Sequence, residues 1–325
     1  MANQSVQNIN KTMIPFEPFV SVIIPIYNGE KDLKDLIECL SKQSYDFDKV
    51  EFILVDNNSN DNTEKTIKNI SKNLNNINLK YLQENNIQSS YAARNLGIKN
   101  AQGEIMAFTD VDCRPQADWL EKLIQPFSDP QTMIVAGEIK GIEGDNLLEK
   151  YATKREILSQ KYTLANEFFP YGQTANLAVR KQALKVVGLF RPYLTTGGDA
   201  DICWRILKEV EAEIKFAPDA LVFHRHRDNL KDFTNQWRRY GQSAKYLHQL
   251  HGSKLMPEYP VSKYIYRLLV WLIKEFPKSA IKLLLGKATL VDFIQTPLDI
   301  MVGKARSNGQ KQADLPEEAK KIDQL

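Results

Sequence analysis

Cysteine is scarce in this chain: three residues among 325 (Cys39, Cys113, Cys203), an odd number at scattered positions with no Cys-x-x-Cys pair. That spacing excludes a disulfide framework and a cysteine-built structural zinc site, and it suits a reducing cytosol. An excess of one charge is also lacking, with 43 Lys and Arg against 40 Asp and Glu and a net charge of +3. So small an excess does not make the clustered basic face that nucleic-acid binding needs, so no nucleic-acid partner is expected. Long apolar runs are missing too. The longest in the C-terminal part, residues 268–273 between Arg267 and Lys274, falls far short of the roughly 20 residues that span a bilayer. The stretch from Met1 to Glu17 is polar, rich in Asn and Gln, and without the apolar segment of a signal peptide, so it reads as a flexible leader. What is present is an ordinary globular composition, 43% hydrophobic and 26% charged, in a chain long enough for one large core or two small ones. There are no internal repeats.

From Val20 to Lys140, short β-branched runs alternate with longer segments of helical period, which predicts strand–helix units and a largely parallel sheet. Strands are expected over 20–26, 50–56, 78–83 and 104–109, with helices near 31–41, 62–73 and 90–100. Parallel strands covered on both faces are apolar almost throughout, as Val-Ser-Val-Ile-Ile-Pro-Ile and Phe-Ile-Leu-Val are. Ligands then belong at the strands' carboxyl ends. Those ends carry Tyr27 and Asn28, then Asp56 to Ser59, then Glu84, then Asp110 and Asp112. Past Lys140 a long helical segment is expected over 144–165. A strand over 172–179 and a glycine-rich loop before Asp199 follow. The cluster His224-Arg-His-Arg227 follows an apolar run, and amphipathic helices begin near Tyr259. The polar tail from about Arg306 is expected to fray.

The stretch Glu104-Ile-Met-Ala-Phe-Thr-Asp-Val-Asp112 ends in two carboxylates one residue apart. Closely placed carboxylates repel unless a cation sits near them, and Mg²⁺ or Mn²⁺ prefers oxygen ligands. An Asp-x-Asp that only closes a turn is the alternative.

Four motifs in order, Val20-Ser-Val-Ile-Ile-Pro-Ile-Tyr-Asn28, Leu54-Val-Asp-Asn-Asn-Ser-Asn-Asp61, Ala93-Arg-Asn-Leu-Gly97 and Phe108-Thr-Asp-Val-Asp112, resemble the family 2 glycosyltransferases. These are inverting enzymes of the GT-A fold that use a nucleoside-diphosphate sugar. The resemblance covers about residues 20–240. It implies an α/β fold with a mostly parallel nucleotide-binding sheet flanked by helices. After a leader over 1–18, which lies outside the resemblance, a GT-A domain is expected over 19–252, divided into a nucleotide-sugar-binding half (19–140) and an acceptor-binding half (141–252). A basic helical extension and polar tail fill 253–325. Nucleotide-sugar contacts fall by resemblance on Pro25, Tyr27, Asn28, Asp56, Asn58, Arg94 and Asp110. At Asp56 the family usually reads Asp-Asp-Gly-Ser; here it is Asp-Asn-Asn-Ser. Asn tolerates the left-handed conformation, so the turn survives. An Asx turn before the next helix is the alternative for Asp56, and a surface salt bridge for Arg94.

By the same resemblance Mn²⁺ or Mg²⁺ bridges the donor's phosphates, with Asp112 the direct ligand and Asp110 the supporting one. His224 completes the site in some relatives, with His226 as the alternate. Arg225 and Arg227 are candidates for the diphosphate or an anionic lipid. The run Thr196-Gly-Gly-Asp-Ala-Asp-Ile-Cys-Trp-Arg205 resembles the family's Gly-Glu-Asp-x-Asp-Leu, with Gly198 replacing Glu. It puts Asp199 at the general base for the acceptor hydroxyl; the alternative is a helix N-cap. Gln236-Trp-Arg-Arg-Tyr240 resembles the Gln-x-x-Arg-Trp signature of processive synthases, which lines the acceptor site; a plain amphipathic helix is its alternative. The expected acceptor contacts are Gly198, Asp201, Gln236, Arg239 and Tyr240.

Between residues 261 and 291 six basic residues oppose one acid among Leu, Ile, Trp and Tyr. That mix suits a helix on an anionic membrane surface and a lipid-linked glycan acceptor, with the protein peripheral on the inner face of the membrane. A helical cap with a solvated basic face is the alternative. The expected function is sugar transfer to a glycan or lipid-linked glycan in cell-surface polysaccharide or glycolipid synthesis. Its rivals are a nucleotidyltransferase, for which Pro25-Ile-Tyr-Asn-Gly-Glu30 lacks a glycine-rich basic phosphate loop, and a non-catalytic nucleotide-sugar-binding protein.

Overall fold

The structure, a computed structural model, describes residues 16–72 and 77–325. The leader expected over 1–18 lies outside the described residues as far as position 15, as does the last residue of the helix expected over 62–73. The chain runs β1 (Val20–Ile26), α1 (Glu30–Leu40), β2 (Val50–Asp56), α2 (Thr63–Ser71), β3 (Leu79–Gln83), α3 (Ser90–Lys99) and β4 (Ile105–Phe108). It continues through β5 (Cys113–Pro115), α4 (Trp119–Ile124), β6 (Ile134–Gly141), α5 (Leu147–Lys154), α6 (Gln160–Leu164), β7 (Leu177–Arg180), α7 (Lys181–Val187), α8 (Gly198–Glu209) and β8 (Ile214–His224). Four long helices follow: α9 (Leu230–His251), α10 (Val261–Val270), α11 (Phe276–Leu284) and α12 (Leu290–Gln312).

One eight-stranded sheet has the order β3-β2-β1-β4-β7-β6-β8-β5. Its first half is parallel, with Ile26 opposite Asp56 and Ile23 opposite Phe108, so the ends of β1, β2 and β4 open on one edge. β7 enters antiparallel between β4 and β6, and β5 pairs antiparallel with β8, Cys113 facing His224. Every residue of β1 and β2 is buried because helices cover both faces. Ile23, Ile53 and Val55 pack with α3, α7 and α8, while Val22, Ile24 and Phe52 pack with α1, α2 and α4.

Two expectations change. The helix expected over 144–165 is broken: α5 starts at an Asn146–Glu149 capping box and ends before Glu156, which takes φ 48. Ser159 then caps α6, and the Gln160 side chain binds the carbonyls of Gln173 and Asn176. Hydrogen bonds to Glu138 of β6 and to the segment before β7 outweigh helical periodicity here. The tail past Arg306 does not fray. It completes α12, which lies so close on α9 that a side chain at Gly241 or Gly309 would strike the backbone of Arg306 or Arg238. Beyond α12, Leu315 and Ala319 are buried in the core that holds Phe190 and Trp204.

Candidate active site

The strand ends are tied into a frame by their own polar groups. Asn28, at φ 52, donates its N–H to Ser59 Oγ at 2.9 Å and accepts from Asn60 N–H through Oδ1 at 2.8 Å. Asp56 accepts from Ser59 N–H and from the Tyr81 hydroxyl, both at 3.0 Å. The Asx-type turn is therefore real, and each carboxylate oxygen keeps a lone pair for a ligand. Asn58 takes φ 62, the left-handed turn expected of it. Asp61 receives the Thr63 N–H at the start of α2. Tyr27 is 51% exposed at the rim, while Pro25 is buried within β1 and offers no exposed side chain.

Arg94 is not a surface residue. Its guanidinium is buried, donates from Nη2 to Asp110 Oδ1 at 2.6 Å, and leaves Nε without a partner among the described residues. Next along β4's extension, Thr109 Oγ1 donates to Ala175 O at 3.0 Å, drawing the Asp110 loop against the segment before β7. From that segment Thr174 donates its hydroxyl to Asp199 Oδ1 at 2.9 Å and its N–H to Oδ2 at 3.3 Å. Asp199 sits in the first turn of α8, whose N-cap is Gly197 at φ 83, so Asp199 is not the cap. Burial pushes the Asp199 carboxyl above the usual carboxylate range, and Asp110 adds to the rise while Arg94 and Thr174 oppose it.

Asp112 forms the second focus. His224 Nε2 lies 3.3 Å from Asp112 Oδ1 and Arg227 Nη2 lies 3.7 Å from Oδ2. Burial works against the Asp112 anion, but His224 and Arg227 outweigh it and hold the group below its ordinary value. Burial likewise opposes the imidazolium, yet Asp112 raises the His224 pKa. Asp112, Cys113 and His224 place ligand atoms within 4.8 Å of one another. Cys113 is no ligand for a hard cation, because burial, then Asp112 and Asp110, keep its thiol protonated. Asp112 and His224 do fit Mn²⁺ or Mg²⁺: an oxygen and an imidazole nitrogen already face each other. His224 Nδ1 has no partner among the described residues, so it can carry the proton while Nε2 turns a lone pair to a cation. His226 is not the alternate. It is buried against Gly141 and Thr153, and Arg225 pairs with Asp32 at 2.9 Å instead of facing the crevice.

On α9, Gln236 donates to the Tyr240 hydroxyl at 3.0 Å and Arg239 to Thr195 O at 2.8 Å. Burial and Asp199 raise the Tyr240 pKa, and the same two causes, in that order, take Tyr171 up to about 12. Two expected acceptor contacts are corrected. Asp201 is fully buried, with Arg191 at 2.9 Å, Arg205 at 3.0 Å and His251 at 2.9 Å around it. Gly198 is buried too, and its N–H donates to the Tyr91 hydroxyl at 2.9 Å. A Cβ at 198 would lie 2.6 Å from that ring, so Tyr91 fills the space that the family's Glu would need. Tyr91 and Thr174 were not singled out in the sequence; the only sign of Tyr91 is its place one helical turn before Arg94.

The family model described as glycosyl transferase family 2 matches residues 21–187, just over half of the chain and short of Asp199. A glycosyltransferase of Haloferax volcanii is 32% identical over 209 residues, covering 64% of this chain and 67% of that protein. The dolichyl N-acetyl-α-D-glucosaminyl phosphate 3-β-D-2,3-diacetamido-2,3-dideoxy-β-D-glucuronosyltransferase of Methanococcus voltae is 26% identical over 236 residues, 69% of this chain and 72% of that one. Other relatives match over only 36% of their length. Among solved structures, a mannosyltransferase of Pyrobaculum calidifontis in complex with GDP-Man and Mn²⁺ superposes with a TM-score of 0.61 at 18% identity, covering 91% of this chain and 88% of that one. At that identity the likeness is one of fold, and it bears out the GT-A reading of the sheet.

Proposed function

Because the chain belongs to glycosyl transferase family 2, we propose that it moves a sugar, with inversion, from a nucleoside-diphosphate donor to a hydroxyl of a glycan or lipid-linked glycan. The observation that carries the reading is Asp199: a carboxylate in the first turn of α8, held by the hydroxyl and N–H of Thr174, with its pKa raised by burial. In the proposed step the acceptor hydroxyl gives its proton to Asp199 as its oxygen bonds to the anomeric carbon. The bond from that carbon to the diphosphate breaks, and the electron pair leaves with the nucleotide. A base is more effective as its pKa approaches the working pH, which is the use of the raised value. Asn28, Asp56 and Asn58 border the nucleotide's place. Arg94, buried and with Nε unpartnered among the described residues, holds Asp110 in line. Gln236, Arg239 and Tyr240 face the acceptor.

Asp112 and His224 are the proposed holders of Mn²⁺ or Mg²⁺. A divalent cation there supplies positive charge against the leaving diphosphate. A lipid-linked acceptor would place the work at a membrane surface. No helix among the described residues is long and apolar enough to cross one, which fits a peripheral arrangement on the inner face.

The test is a thermal-shift screen of nucleotide sugars with and without Mn²⁺, on the native chain and on Asp112→Asn. One donor is expected to raise the melting temperature in a Mn²⁺-dependent way, and the substitution to abolish the metal's share. If no nucleotide sugar shifts the melting temperature under either condition, the proposal fails.

A further inference from the structure

From Val261 to Leu284 the chain stays helical, with α10 passing through a π turn at Trp271–Glu275 into α11, and not one residue of it is buried. The side turned to the protein is accounted for. Trp271 donates Nε1 to Phe293 O at 3.1 Å, Phe276 packs on the Phe293 ring at 4.4 Å, and Arg267 reaches Thr296. The other side carries Val261, Ile265, Leu268, Leu269, Leu272 and Ile273, each between 45% and 72% exposed. At 3.6 residues per turn these six fall within an arc of about 140°. Ile281, Leu284 and Leu285 continue the apolar surface at 58–88% exposure. A surface helix of a globular protein turns such a stripe inward. Here it faces out, and apolar patches of this extent mark an interaction site.

The charges say what covers it. Lys263, Lys274, Lys278, Lys282 and Lys287 are all exposed in this stretch. Its one acid, Glu275, is already held by Arg267 and Thr296. A second copy of the chain would set lysines against lysines, and like charges across an interface repel. A bilayer with anionic headgroups answers both features at once, taking the leucines at the acyl boundary and the lysines at the phosphates.

We propose that α10 and α11 lie flat in the headgroup layer of an anionic membrane, with the Val261–Ile273 face inserted. The rod is tied to α12, and α12 is locked on α9 at Gly241 and Gly309, the helix that bears Gln236, Arg239 and Tyr240. Membrane docking thus holds the acceptor side of the crevice at a set distance from the lipid. That consequence rests on the transferase reading; the docking itself does not.

The experiment is flotation of the full chain with vesicles of phosphatidylcholine alone or mixed with phosphatidylglycerol. Co-flotation with the anionic vesicles is expected, and it should weaken roughly tenfold or more in raised salt as the headgroup attraction is screened. Leu268→Ser with Leu272→Ser, and separately Lys274→Glu with Lys278→Glu, should each lower binding roughly tenfold without moving the melting temperature, since all four side chains are exposed. The proposal is overturned if the chain floats with neither vesicle. It is equally overturned if both double substitutions bind as the native chain does, or if they abolish self-association on size exclusion while flotation persists. Flotation needs no turnover, so its failure leaves the donor's thermal shift untouched and can be told apart from failure of the transferase reading.

Discussion

The Asp199 carboxyl titrates high because burial and the Asp110 charge penalise its anion more than Arg94 and Thr174 favour it. The sign of the effect on stability follows. A carboxyl whose folded pKa lies above its ordinary value binds its proton more tightly when folded, so stability falls as pH rises through that window and the loss persists at neutral pH. Asp199→Asn is therefore expected to raise the melting temperature at pH 7 while lowering kcat by about 10²–10⁴-fold, the usual worth of a general base, with donor binding retained. Melting curves and initial rates on the same preparation check this; a destabilised, still active variant would remove Asp199 from the role. At this scale Asp110, Asp112 and Asp199 were reachable only through the order of the motifs and the resemblance they carry, because a carboxylate at a strand end or helix start has local uses of its own in turns and caps. Thr174 and Tyr91 were not legible. Their value lies in touching Asp199 and Gly198, positions 25 and 107 residues away, and no local pattern records such a meeting.

Among the elements, α8 and α9 are joined through one buried carboxylate. Asp201 and Arg205 on α8 face Arg191, and His251 in the last turn of α9 completes the cluster. Burial opposes the Asp201 anion, but His251, Arg205 and Arg191 take its pKa down to about 2. Its contribution to stability is thus present above the ordinary 3.8 and is lost as pH falls through about 2. Asp201→Asn should cost about 3–5 kcal/mol at pH 7, since it leaves buried guanidinium groups uncompensated. Urea unfolding should show that gap closing as pH is lowered towards 2. An unchanged midpoint at neutral pH would mean that the cluster contributes nothing. Asp201 enters the expected acceptor contacts through the run that resembles Gly-Glu-Asp-x-Asp-Leu. Two residues along a helix turn the side chain by about 200°, which here points it into the core.

For the whole molecule, the segment after α12 is anchored in the core through Ala313, Leu315 and Ala319. Leu189 donates its N–H to Asp323 O at 2.8 Å, and Lys99 pairs with Asp323 at 2.8 Å. Removing residues 313–325 should therefore destabilise the entire domain in one cooperative transition, with burial of Leu315 alone worth about 1.5–3 kcal/mol. A melting curve unchanged by the truncation would show the tail to be dispensable. The sequence by itself determined the strand–helix alternation of the first half and the edge on which Asn28, Asp56 and Asp110 meet. Apolar runs and helical periods are local signals, and parallel strands joined by helices put their carboxyl ends on one side. Only the tertiary structure decided that His224 and not His226 faces Asp112, that Tyr91 takes the room above Gly198, and that the polar tail is held. Each of these depends on close packing between segments far apart in the chain, which no residue period encodes.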